Sequence, residues 1–288
     1  MPKVDVNGAT LEYAERGTGQ PVVFVHGGLN DLRAWTDQLE AFGSKYRTVA
    51  YSCRYYHPNA EAPDGEVLPL DTLVEDLAAF LHALDLAPAH LVGASSGGFV
   101  CLLLALREPG LVRTLVLAEP PVLPLLGVSV PPKPPQILRL LVRSPRTAIE
   151  VIKFGARGIG PASRAFERGD DERGLEVFCT AVLGREAFAK LTETMRQQIR
   201  DNVRAFKAQL RAGFPPFGEG DARRISMPTL LVTGERGAPL LLRVTDRLQR
   251  LMPRVERVDV RNASHLMYED NPEAFNQAVL AFLGKHGG

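Results

Sequence analysis

Six short apolar runs, each closed by a turn or a charged residue and separated by stretches with helical spacing, constrain this chain more than any other feature. They fall at Pro21 to Val25, Arg47 to Tyr51, His90 to Gly93, Thr114 to Ala118, Thr229 to Thr233 and Val255 to Val260. Strands that are apolar along their length need cover on both faces, and alternation with helices supplies it as crossovers on a mainly parallel sheet. Two further strands are expected at Lys3 to Val6 and Ala9 to Arg16. Asn7-Gly8 joins them, a dipeptide suited to the positive φ of a two-residue hairpin turn. The expected architecture is therefore α/β, an eight-stranded sheet with helices on both faces.

The helices between the strands carry their own signals. Thr72-Leu-Val-Glu75 has capping-box spacing and precedes apolar positions at Leu77, Phe80, Leu81 and Leu84. Asn271-Pro272-Glu273 predicts the start of a last helix, with Gly284 expected to end it. The alternation breaks between Pro120 and Asp221. Residues 120 to 135 are dense in proline, which resists both helix and central strand, and are expected as a linker. Beyond them only helical periodicity is found. Thr192 to Ala212 reads as one helix with Met195, Ile199, Val203, Phe206 and Leu210 on a single face. This divides the chain into a core of residues 1–120 and 221–288 and an inserted linker and helical cap, 121–220.

Composition removes several function classes. The 288 residues include 34 basic and 33 acidic side chains, a net charge of +1 that offers a polyanion such as nucleic acid little attraction. Between Lys133 and Arg211 there are 16 basic and 9 acidic residues, and Arg196, Arg200, Arg204, Lys207 and Arg211 share one helical stripe. A solvated helix face is the expected reading of that stripe, ahead of attraction to anionic substrates or membranes. Leu86 to Leu106 lacks charged residues, but its internal Pro, Gly and Ser suit a strand turning into a helix better than a membrane span. Three scattered cysteines form no disulfide framework and the amino terminus has no secretory pattern. A reducing, cytoplasmic location is expected.

Gly93-Ala-Ser95-Ser-Gly97 lies between a strand pattern and the apolar helix pattern Phe99 to Leu106. A serine at such a corner is lifted off the backbone by a strained turn, and glycines two residues either side remove the Cβ atoms that would collide there. Its hydroxyl needs a base. Among six histidines, His286 lies in the Gly-rich tail, His82 on the polar side of a helix and His90 at the start of the elbow strand. His57 has no supporting motif, and His26 reads as a hydrogen-bonded loop anchor. His265 follows the last strand pattern, at the carboxyl edge where open α/β sheets bind ligands. Two glutamates compete to orient it: Glu119, held extended at a strand end by Pro120, and Glu235 after the next strand.

His26-Gly-Gly28, Gly93-Ala-Ser-Ser-Gly97 and Ala263-Ser-His-Leu266 together resemble the α/β-hydrolase superfamily with a helical cap. In many members an acid follows the seventh strand at the position occupied here by Gly237. A minority branch places the acid after the sixth strand, which the resemblance maps to Glu119, with Glu235 as the alternative. It also implies an oxyanion hole from the backbone of Ser96 and Gly28, Leu29 being the alternative to Gly28. Serine at the elbow implies an acyl-enzyme, hence small-molecule carboxylic esters, lactones or thioesters rather than epoxides or haloalkanes. A C–C bond hydrolase, a perhydrolase and a slow ligand receptor are the other readings of the same triad. No metal or organic cofactor is implied. Apolar residues from Val122 to Leu126, with Phe154, Phe166, Phe178 and Phe188, are candidates for an apolar pocket or for packing within the cap.

Overall fold

The eight expected strands form one sheet in the order β1-β2-β4-β3-β5-β6-β7-β8. In the computed structural model, which describes residues 1–287, they span Lys3–Val6, Ala9–Arg16, Pro21–Val25, Arg47–Tyr51, Ala89–Ala94, Val112–Ala118, Thr229–Gly234 and Val255–Val260, numbered β1 to β8. β1 pairs antiparallel with β2, and β2 antiparallel with β4; every later pairing is parallel. Because β3 and β5 to β8 run the same way, their last residues all arrive at one edge.

The alternation of side chains along each strand divides the interior into two layers. On one face Val23, Val25, Leu91 and Leu117 pack against the helices Leu70–Ala83, Ser96–Arg107 and Pro239–Leu251. On the other, Val22, Phe24, Val92 and Val116 meet Thr36–Phe42 and Pro272–His286 through Leu39, Phe42, Phe275 and Val279. Each such fully buried aliphatic or aromatic side chain contributes roughly 1.5–3 kcal/mol relative to exposure. The uncharged stretch from Leu86 holds β5 and all but the last residue of the helix Ser96–Arg107. Among the described residues no helix is long and apolar enough to cross a membrane.

Three local expectations are corrected. The helix expected from Thr72 begins at Leu70 behind Pro69, whose ψ of 148° still lies outside the helix, so Thr72 and Glu75 sit inside the first turns rather than capping them. The last helix passes through Gly284 to His286, where Lys285 and His286 both bond Glu256. The single helix expected over Thr192 to Ala212 is two, Glu193–Asp201 and Val203–Ala212, broken at Asn202. Asn202 is wholly buried. Its Nδ2 donates to Asp31 Oδ2 at 2.7 Å and its Oδ1 accepts from the His57 N–H at 2.8 Å. Two long-range bonds thus override local periodicity.

Asp31 is the hub of that junction. Wholly buried, it accepts from the Arg33 guanidinium at 2.9 and 2.6 Å and from Gln198 at 3.3 Å as well as from Asn202, and Arg33 reaches on to Asp201. The basic stripe is also not a bare solvated face. Arg204 pairs with Glu61 and Asp64, Arg200 with Glu172 and Glu193, and Lys207 with Asp171, while Arg211 and Arg196 donate to backbone carbonyls. Asp31→Ala leaves buried amides without acceptors and is expected to destabilise the chain by about 3 kcal/mol; urea unfolding of wild type and variant measures it.

Candidate active site

The site begins where the sheet ladder runs one residue past its strands. The Ser95 N–H donates to the Ala118 carbonyl at 2.8 Å, and the Glu119 N–H to Val232 at 3.1 Å. Serine and glutamate are thereby held at consecutive positions along the sheet edge. Ser95 has φ 49° and ψ −124°, a strained conformation for a residue with a Cβ. A Cβ at Gly97 would lie 2.3 Å from the His26 carbonyl oxygen, and one at Gly93 2.6 Å from the Gly98 Cα, so neither glycine tolerates a side chain.

His265 lies buried in the loop after β8. Its Nδ1 donates to Glu119 Oε2 at 2.7 Å, and the other carboxylate oxygen accepts from the Gly234 N–H at 2.9 Å. With the proton on Nδ1, a neutral ring leaves Nε2 as an acceptor. Glu119 is wholly buried, but it is not extended as Pro120 led one to expect: φ is 44°. Its main-chain bond to Val232 and its carboxylate bond to the Gly234 N–H hold it in that conformation. Glu235 is exposed and accepts from the Asn262 N–H at 2.8 Å, so the two candidate acids stand apart and only Glu119 meets His265.

The glycine at 237 has a steric explanation. A Cβ there would fall 2.1 Å from Glu119 Oε1, so the carboxylate fills the space in which a side chain at 237 would begin. Glu269 and Asp270 are the acids of the short helix Met267–Asp270 that follows His265. Burial, with Asp270, Asp31 and Asp37 nearby, pushes Glu269 up to about 8, so it is largely neutral near pH 7.

Ser95, Ser96, Gly28, Leu29 and His265 line one cavity of about 130 Å³. Among the described residues neither the Ser95 hydroxyl nor the N–H groups of Gly28 and Ser96 have a hydrogen-bond partner within the protein, and no hydrogen bond joins Ser95 to His265. Phe154 and Phe178 line the cavity with Pro121 and Leu123; Phe166 packs within the insert, and Phe188 lies under the Arg196 guanidinium. The remaining histidines are placed elsewhere. His26 bonds Gly27 and Cys53 and is kept neutral by burial, His90 bonds Thr114, and His57 and His82 are exposed. Sequence reasoning missed Asp31, Asn202 and Gln209. For Gln209 a signal was present, an amide one position from Leu210 and three from Phe206 on an otherwise apolar helix face.

A serine at a strained strand-to-helix corner, a buried acid–imidazole pair and unpaired N–H groups around one cavity define the arrangement of a hydrolase. The model of the alpha/beta hydrolase family matches residues 22–278, and the chain belongs to that family. The non-heme chloroperoxidase CPO-A1 of Kitasatospora aureofaciens is 29% identical over 287 residues, covering 97% of this chain and 98% of that protein. Carboxylesterase YbfK of Bacillus subtilis is 26% identical over 270 residues, 91% of this chain and 79% of that one. A thermophilic esterase from Thermogutta terrifontis superposes with a TM-score of 0.77 at 20% identity, covering 99% and 100% of the two chains; it shares the fold.

Two outcomes follow for solution experiments. Glu119→Gln is expected to lower kcat by about 10³–10⁴-fold and Glu235→Gln by less than about twofold, with Gly237→Ala resembling the former because it displaces the carboxylate; steady-state kinetics on an activated ester distinguishes them. Because Glu269 is raised from its ordinary value, folding favours its protonated form, and that stabilisation is lost as pH climbs through about 8. The melting temperature of the wild type should therefore fall relative to that of Glu269→Gln between about pH 5 and 9.

Proposed function

We propose that the chain hydrolyses carboxylic esters of small molecules, lactones and thioesters included, through an acyl-enzyme on Ser95. The observation that carries this reading is the shared cavity: a partly exposed Ser95, unsatisfied N–H groups beside it and a buried His265–Glu119 pair all meet an apolar space. His265 Nε2 takes the Ser95 proton as Oγ attacks the carbonyl carbon. Charge develops on the carbonyl oxygen, which the Gly28 and Ser96 N–H groups hold; one such donor is worth about 3–4 kcal/mol in the transition state. Glu119 keeps the ring in the Nδ1–H tautomer and supports the imidazolium. The imidazolium then protonates the departing alkoxide. Water, deprotonated by the same nitrogen, releases the acid and restores Ser95.

Residues of the insert roof this cavity, among them Phe178, Ile199 and Phe206, so the insert acts as a cap over the acyl group. A cavity of about 130 Å³ is comparable to one that admits benzene, which favours short acyl chains. The carboxylesterase name of one relative supports the ester reading. The name of the chloroperoxidase relative supports a second one, in which hydrogen peroxide replaces water as acyl acceptor and yields a peracid. A series of p-nitrophenyl esters tests the leading reading. Acetate to butyrate should turn over at least about tenfold faster than decanoate, and Ser95→Ala should abolish turnover without changing the circular dichroism. Turnover retained by folded Ser95→Ala would overturn it.

A further inference from the structure

Gln209 is the one carboxamide that the helical insert contributes to the wall of the cavity. It stands on the helix Val203–Ala212, only 6% exposed, with the aromatic ring of Phe206 one turn before it and Leu210 beside it on the same wall. Its Oε1 accepts from the Tyr56 hydroxyl at 3.5 Å. Tyr56 is wholly enclosed and burial holds its phenol well above the ordinary value, so it keeps the proton it donates. The other end of the amide, Nε2, has no hydrogen-bond partner among the described residues. That nitrogen is not fully enclosed, so it is an unpaired donor open to the cavity and free to meet a ligand or water there.

The location of that amide identifies what would complete it. A Cβ built on Gly28 would lie 3.1 Å from Gln209 Oε1 and 3.0 Å from the Phe206 ring, so the carboxamide packs directly against the loop residue whose N–H faces the developing oxyanion. Across the cavity Asn30 spends its Nδ2 on the Tyr268 hydroxyl at 2.7 Å, and most of the remaining wall is carbon. Gln209 is thus a polar donor in an apolar chamber, close to where the scissile carbonyl sits.

We propose that Gln209 determines specificity, its Nε2 donating to an oxygen on the carbon next to the scissile carbonyl, and that the preferred acyl groups are α-oxygenated rather than plain alkyl. This rests on the ester-hydrolase reading above. An α-oxygen takes the place of a methylene, so shape is conserved and the difference between the two substrates is one acceptor. A site built to hydrogen-bond a substrate oxygen discriminates against the analogue that lacks it, because its own donor is then left unpaired.

The test compares p-nitrophenyl methoxyacetate with p-nitrophenyl butyrate, whose acyl groups have the same number of heavy atoms. The ratio of their kcat/KM values in each variant, divided by the wild-type ratio, cancels the greater intrinsic reactivity of the alkoxy ester. Gln209→Leu and Gln209→Met, two apolar replacements that pack differently, should each lower the ratio about tenfold. Gln209→Glu, which presents an acceptor to the substrate oxygen, should lower it further. An unchanged ratio in the active apolar variants, or an equal loss on both esters, would overturn the proposal and leave the hydrolase reading standing. Absence of Ser95-dependent turnover of either ester in the wild type would overturn both.

Discussion

The carboxylate of Glu119 is the interaction on which the candidate site depends. It is wholly buried, and a buried negative charge persists only when its oxygens are satisfied. One oxygen takes the Gly234 N–H and the other the His265 ring, so the same group ties the end of β6 to the end of β7 and to the loop after β8. Three separate stretches of chain are registered against one another by two hydrogen bonds. The imidazole is therefore oriented by the sheet edge itself, and that edge is rigid because β5, β6 and β7 are buried almost throughout their length.

The insert is attached in a different manner. Its ion pairs with the core loop at Glu61 and Asp64 are exposed, and such pairs contribute about 0–1 kcal/mol each. They orient the helices more than they stabilise them. The firmer attachment is buried, where Asn202 joins Asp31 and the backbone of His57, and where the Leu68 N–H donates to the Ala208 carbonyl at 3.0 Å. Asp31 follows Gly28 by three residues, so the geometry around Gly28 and the seating of the insert share one hub.

Much of this was legible in the residues, for reasons that differ by element. The buried strands were readable because continuous apolar runs have few alternative uses, and eleven of the twelve ends of the six runs agree with the structure to within one residue. The elbow was readable because its glycines are demanded by contacts only a few residues away in sequence, together with β3. What escaped were features set by distant partners. Nothing near Asn202 announces that it ends a helix, since Asp31 and His57 lie more than a hundred residues earlier. The arginine stripe has the periodicity of a free surface, and all its acidic partners but Glu193 sit on other elements. Glu119 and Glu235 both follow strands that end at the same edge; the choice between them turned on a glycine at 237 whose significance is the space it leaves.

That space has a consequence for how a chain of this kind can change over generations. A side chain beginning at 237 and the Glu119 carboxylate compete for one space at the sheet edge, since a Cβ there would lie 2.1 Å from Glu119 Oε1. Any residue with a Cβ at 237 would therefore have to be matched by a shift or a change at 119, so the two positions are expected to vary together rather than independently.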